Sequence, residues 1–316
     1  MPLRHWTFHR SGTRSSGGHG SGSTLLLVSI ERELLALGGV ARRAELAPAV
    51  GLTPKELGYR LGELVSVGAV QRPGRGVYAL PGVSPEAVVA VTASGILTCV
   101  SAAALWRLPL LATHTSAHVA VPASASGSLD GRVPRRTVIH RDSAVEPRQR
   151  FDRPGPAMAL SHVAQCLELR EAVAVLDAAL RRGLVSREEL AARRPRTGWL
   201  EHERAVRLAD PSSQSITESI ARVALVQAGL SVEAQVYLSG VGHVDMVVEG
   251  RVVVEVDGYA YHSSREQFRE DRRRDREITL RHGMSRLRFA YEEVVYGTSE
   301  LVESVRRAVH SAPERP

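Results

Sequence analysis

The chain has 316 residues, 43% of them hydrophobic, and a formal net charge of +7. That is enough for two or three domains with cores, and it favours a polyanionic partner. Aromatic residues make up only 4%, which argues against a base-stacking platform for single strands, and no apolar run is long enough to cross a membrane.

Lys55 is the single lysine, so nearly all positive charge is arginine. This skew reads as a codon bias and lowers the weight of any one arginine cluster. Cys99 and Cys166 stand far apart with no CxxC spacing. That argues against a disulfide framework or a structural zinc site and suits a reducing compartment. Leu25 to Ile30 is too short for a secretory core, so the expected location is cytoplasmic.

Residues 1–23 are rich in Ser, Gly, Arg and His and read as a disordered leader. Residues 24–82 read as a winged helix-turn-helix. A helix is predicted from Leu25 to Leu37 and a shorter one over Arg43 to Val50. A third begins at Thr53-Pro54-Lys55-Glu56, a capping box with proline at the first helical position. Leu57, Leu61, Leu64 and Val65 form its buried stripe, leaving Lys55, Tyr59 and Arg60 outside. Gly68 ends it, and a hairpin follows around Pro73-Gly74-Arg75-Gly76. The third helix is expected in a major groove, with Arg72 and Arg75 of the wing on phosphates.

GGVARRAEL, this capped helix, the closing GVYAL and VSAAALWRLPL at Val100 to Leu110 resemble the N-terminal domain of abortive-infection type IV antitoxins. The resemblance implies binding to double-stranded DNA and autoregulation. A homodimer and a cognate toxin or defence partner stay open.

Residues 83–208 read as an α/β connector domain. Helices are expected at Pro85 to Thr92, Val100 to Trp106, Ala157 to Glu168 and Glu171 to Arg181, and strands at His118 to Val121 and Thr137 to His140. His114, His118, His140 and His162 share no helical or strand spacing, so each is expected to be a satisfied or exposed histidine rather than a ligand.

Residues 210–312 read as helix, three strands, helix, strand, helix. Asp245 falls on the second strand, and Glu255 and Asp257 on the third, two apart and so on one face. Acids beside Val252, Val253, Val254 and Val256 are costly unless partnered. Converging carboxylates suit a hard cation such as Mg2+ or Mn2+. Asp245 joins the face of Glu255 only if the hairpin loop is odd in length; Val248-Glu249-Gly250, with Gly250 left-handed, meets that condition.

ITESIARVAL, GHVDMVV, VVVEVDGYAYH, FREDRRRDREI and RLRF resemble, in that order, the PD-(D/E)XK nuclease superfamily, nearest a very-short-patch-repair-endonuclease-like branch. The implied fold class is a multidomain α+β or α/β chain ending in a restriction-endonuclease-like αβββαβα domain. The implied function is a metal-dependent endonuclease hydrolysing phosphodiester bonds. Asp245, Glu255 and Asp257 would hold the metal and His262 would move the proton. Asp257 stands where the superfamily has lysine, which either abolishes activity or passes the role to His262. Glu218 is either a further member of the site or the last residue of the capping box Ser215-Ile-Thr-Glu218.

Arg273, Arg274 and Arg288 are candidates for phosphate contacts, although the charge pattern of residues 265–281 first suggests a salt-bridged helix. The competing reading is a DNA-binding transcriptional regulator or antitoxin with an inactive nuclease-like domain. An RNase is a third.

Overall fold

The computed structural model describes residues 30–125, 132–146, 150–152, 154–257 and 265–311, with only the backbone at 265–268. It divides into two compact units, Met1–Val83 and Ser84–Pro316.

In the first unit a helix covers residues 30–36 (α1). It is followed by β1 (Val40–Arg42), α2 (Arg43–Val50), α3 (Pro54–Ser66), β2 (Gln71–Gly74) and β3 (Val77–Ala79). The expected capping box starts α3. Thr53 Oγ1 accepts from the Glu56 N–H at 3.3 Å, and the Glu56 carboxylate accepts from the Thr53 N–H at 3.0 Å. Leu57, Leu61 and Leu64 are buried, and they join Ile30, Leu34, Leu46 and Val70 in one core. The wing is the β2–β3 hairpin, and β1 pairs antiparallel with β3 to make a three-stranded sheet. Strand β1 has only three residues, too few to display alternation in the sequence. Gly39 leads into it at φ +85°, where an added Cβ would lie 2.6 Å from Val83 Cγ2.

The second unit begins with α4 (Pro85–Ala93), β4 (Ile96–Leu97), α5 (Cys99–Leu105), β5 (His118–Pro122) and β6 (Val138–Asp142). Next come α6 (Pro156–Cys166), α7 (Leu169–Arg181), α8 (Arg187–Ala192) and α9 (Trp199–Leu208). Strands β4, β5 and β6 form a small sheet, with β5 and β6 parallel. The chain continues through α10 (Ile216–Gln227), β7 (Val232–Leu238), β8 (Gly242–Val248), β9 (Val252–Val256), α11 (Arg265–His282), β10 (Ser285–Phe289), α12 (Tyr291–Val295) and α13 (Thr298–Ser311). Strands β7, β8 and β9 are antiparallel, and β10 adds parallel to β9. The expected element order is present, with the short α12 added.

This second sheet has a core on each side. Met246, Val248, Val252 and Val254 pack with Ile220 and Leu225 of α10 and Leu301 and Val305 of α13. Val247 and Val253 pack with Ile278 of α11.

Helices α7 and α10 lie against each other inside the unit. Asp177 is fully buried and accepts from Arg222 Nη2 at 2.9 Å, Ser219 Oγ at 2.7 Å and the Asp210 N–H at 2.6 Å. Val223 of α10 belongs to the same apolar cluster as Val173 and Leu176 of α7.

Candidate functional site

In the first unit, helix α3 turns Lys55 and Tyr59 outward at i, i+4 spacing, and Tyr59 is 67% exposed. A tyrosine so bare on a helix that buries three leucines has no packing role. Arg60 is half-buried. It donates to Glu63 at 2.9 Å and lies 5.7 Å from the Tyr59 ring centroid. Arg72 and Arg75 stand exposed on the wing, with Arg72 6.0 Å from the ring of Tyr78. Among the described residues, Lys55, Arg72 and Arg75 have no acidic partner, so their charge is free for a polyanion.

In the second unit, the register of β8 with β9 pairs Met246 with Val254, Val247 with Val253 and Val248 with Val252. One step further on, Asp245 comes opposite Glu255, on the face of Val247 and Val253 that α11 covers. The loop is odd in length, as the site requires, but it is Glu249-Gly250-Arg251 rather than Val248-Glu249-Gly250. Arg251 N–H donates to Val248 O at 2.9 Å and closes it, while Glu249 (φ 50°) and Gly250 (φ 62°) are both left-handed.

Asp245 Oδ2 accepts from the Val256 N–H at 2.8 Å. Burial pushes the Asp245 carboxyl up to about 6 against that bond; the charges of Glu218 and Glu255 add to the rise, and Arg274 opposes it.

Glu218 is buried, and its hydrogen bonds reach beyond the capping box. Ser215 Oγ accepts from the Glu218 N–H at 3.1 Å, so half of the capping box forms. The carboxylate, however, reaches past Ser215 to the Gln214 N–H at 2.8 Å and to Gln235 Nε2 at 3.0 Å. Gln235 was not among the expected residues. It has φ 53° in the middle of β7, at the place where the pairing with β8 skips opposite Asp245. No pattern in the sequence signals such a kink.

Glu255 is buried and surrounded by guanidinium groups. Arg274 of α11 donates to Oε1 at 3.1 Å. Oε2 accepts from Arg286 and, at 3.3 Å, from Arg288, both on β10. Arg286 also pairs with Asp275, and Arg288 with Asp271 at 3.1 Å. Arg274 and Arg288, expected to face phosphate, are therefore held by internal acceptors, as is exposed Arg273, which bonds Glu270 and the Gly240 carbonyl. Arg286, not among the residues expected here, stands two residues before Arg288 on one strand and so shares its face.

Asp257 follows β9, its N–H on Phe289 O at 3.0 Å, and its half-buried carboxylate has no ion-pair partner among the described residues. His262 lies outside the described residues. A magnesium ion would need carboxylate oxygens open to it. Both oxygens of Glu255 are instead engaged by arginines, and burial of Asp245 disfavours its charged form. The donor set as arranged does not fit the ion.

Residues 29–81, nearly the whole described part of the first unit, match the family described as transcriptional regulator, AbiEi antitoxin. The winged helix is thus similar to that of the antitoxin regulators. No curated protein matches the chain. Among solved structures the chain is similar to the RV2827C protein from Mycobacterium tuberculosis, at 17% identity and a TM-score of 0.34, over 63% of this chain and 81% of that one. That likeness is too slight to bear on the fold. Among the described residues no helix is long and apolar enough to cross a membrane.

Proposed function

We propose that the chain is a DNA-binding transcriptional regulator of the antitoxin type. It reads duplex DNA with the outer face of α3 and grips phosphates with its wing. One observation carries this reading: the stretch that matches the antitoxin regulators folds so that Lys55, Tyr59, Arg72 and Arg75 stand exposed, the three cations without acidic partners among the described residues. A homodimer would present two α3 helices to half-sites about one helical turn apart, and a cognate toxin is the second partner the reading implies.

The test is binding to DNA upstream of the chain's own gene, measured against unrelated duplex over a range of salt. Each lost phosphate contact lowers the slope of log affinity against log salt by about 0.9. Arg72→Ala with Arg75→Ala is therefore expected to flatten the slope by about 2 and weaken all sequences alike. Tyr59→Ala and Lys55→Ala are expected to change the preference between sequences. Equal affinity for upstream and unrelated DNA in the wild type defeats the proposal.

A metal-dependent endonuclease is the second reading, favoured by the placement of Asp245 opposite Glu255 with Glu218 beside them. The internal pairing of Glu255 and the aspartate at 257 stand against it. Plasmid nicking with magnesium or manganese, abolished by Asp245→Ala, would support it; no cleavage with either metal removes it. A parallel digestion of labelled RNA separates DNA from RNA as substrate.

A further inference from the structure

Four residues that the sequence scatters over the connector region meet at one point. Cys99 starts α5, His118 starts β5, His140 lies on β6 and Cys166 ends α6. One donor atom from each lies within 4.8 Å of all the others. Neither the distance between the two cysteines along the chain nor the lack of a shared spacing among the histidines announces this meeting. It runs against the expectation that the histidines are not ligands and that no structural zinc site is present. Parallel pairing of β5 with β6 sets His118 and His140 two register steps apart on neighbouring strands, and α5 and α6 bring a thiol from each of two helices.

Two of the separations bear on what the cluster can hold. His140 Nε2 lies 3.5 Å from His118 Nδ1, and Cys166 Sγ lies 3.7 Å from His140 Nε2. The first is long for a nitrogen–nitrogen hydrogen bond. A tetrahedral ion bound at about 2.3 Å to sulfur and about 2.0–2.1 Å to nitrogen has edges of roughly 3.3–3.8 Å. The two distances fall in that range. Cys99, His118 and His140 are buried, while Cys166 is exposed and leaves a way in.

The surroundings also hold the donors in place. The His162 ring stacks on His140 at 4.3 Å between centroids. It is fixed in turn by Thr98 Oγ1 at 2.7 Å and Asp142 Oδ2 at 3.1 Å. The His118 N–H donates to Ser101 Oγ at 3.0 Å. Cys99 is held at φ 51°, left-handed for a residue with a side chain, a conformation that persists where the surroundings impose it.

We propose that Cys99, His118, His140 and Cys166 form a tetrahedral zinc site that ties α5, β5, β6 and α6 together. Two thiolates and two neutral imidazoles suit a borderline-soft divalent ion and not magnesium or calcium. Binding releases the two thiol protons to solvent and leaves a site of zero net charge, which a largely buried position tolerates. The proposal is independent of the DNA reading, since it rests on residues outside the winged helix.

The test is cobalt titration of the reduced, metal-stripped full chain. The expected result is a single equivalent bound, with sulfur-to-cobalt charge-transfer absorption and the intense visible bands of tetrahedral cobalt, both erased by added zinc. Cys166→Ser, at an exposed helix end, and His140→Gln are each expected to lose the charge-transfer intensity or the tetrahedral bands. Zinc is expected to raise the melting temperature of the wild type and not of Cys166→Ser. No tetrahedral spectrum in the folded wild type overturns the site, as does a spectrum unchanged in both variants. A Cys99–Cys166 disulfide in protein purified with zinc and without oxidant overturns it as well.

Discussion

Replacing Asp245 with asparagine should stabilise the C-terminal sheet at neutral pH and leave it unchanged in acid. The folded carboxyl titrates at about 6, against roughly 3.9 in an unfolded chain. Between those values the native state holds more protons than the unfolded state, so stability falls as pH rises through the window from about 4 to about 6. Above it the whole penalty is present. A shift of two units corresponds to about 3 kcal/mol, but the side chain is only half-buried, and solvent screening reduces this to about 1–2 kcal/mol. Asparagine keeps an oxygen for the Val256 N–H and removes only the charge. Hydrogen exchange at the β8 and β9 amides reads this locally, which suits a chain of two units better than a global melt. At pH 7.5 (about 1.5 units above the transition) the variant should exchange roughly tenfold more slowly, and near pH 4 at the wild-type rate. Equal rates at both pH values, or the same slowing at both, would refute the argument that a buried charge is being relieved.

Three other substitutions test the packing described above. Glu255→Ala leaves Arg274, Arg286 and Arg288 facing one another around a vacated carboxylate and should cost about 3–5 kcal/mol; denaturant unfolding within about 1 kcal/mol of wild type would count against a supporting role for the cluster. Asp177→Ala strands the guanidinium of Arg222, whose side chain is 6% exposed, and a loss of about 3–5 kcal/mol is expected, read as earlier thermal unfolding of the second unit. Gly39→Ala sets a Cβ against Val83 Cγ2 at a left-handed position, costing about 1–3 kcal/mol. Proteolysis of the first unit should speed up accordingly.

The parts of this molecule that local chemistry decides were legible in advance. Thr53, Pro54 and Glu56 announce the start of α3, and the leucines at 57, 61 and 64 announce its buried face. Side-chain parity along β9 and the need for an odd loop put Asp245 beside Glu255; the one-residue offset of that loop arose because Glu249 also adopts a left-handed backbone, which few residues other than glycine do. What could not be read depends on contacts between distant segments. The guanidinium ring around Glu255 requires β10 to lie parallel to β9, and the meeting of Cys99, His118, His140 and Cys166 requires two helices and two strands to converge. Spacing along the chain shows that Arg286 and Arg288 share a face, but carries no trace of which distant segments those residues meet. The kink at Gln235, which lets it hold Glu218, is set by the strand opposite.

The buried bond between Asp177 and Arg222 has a consequence for how this protein can be divided. A fragment beginning at Asp210 would carry the complete four-stranded sheet with its helices. It would also carry a guanidinium with no carboxylate, and the bare side of α10 around Val223. The C-terminal sheet is therefore not a module that can be lifted out and kept in solution alone. It shares its core with the segment before it, so an exchange between related genes would have to move both together, and the boundary between the two compact units of the chain falls at Ser84.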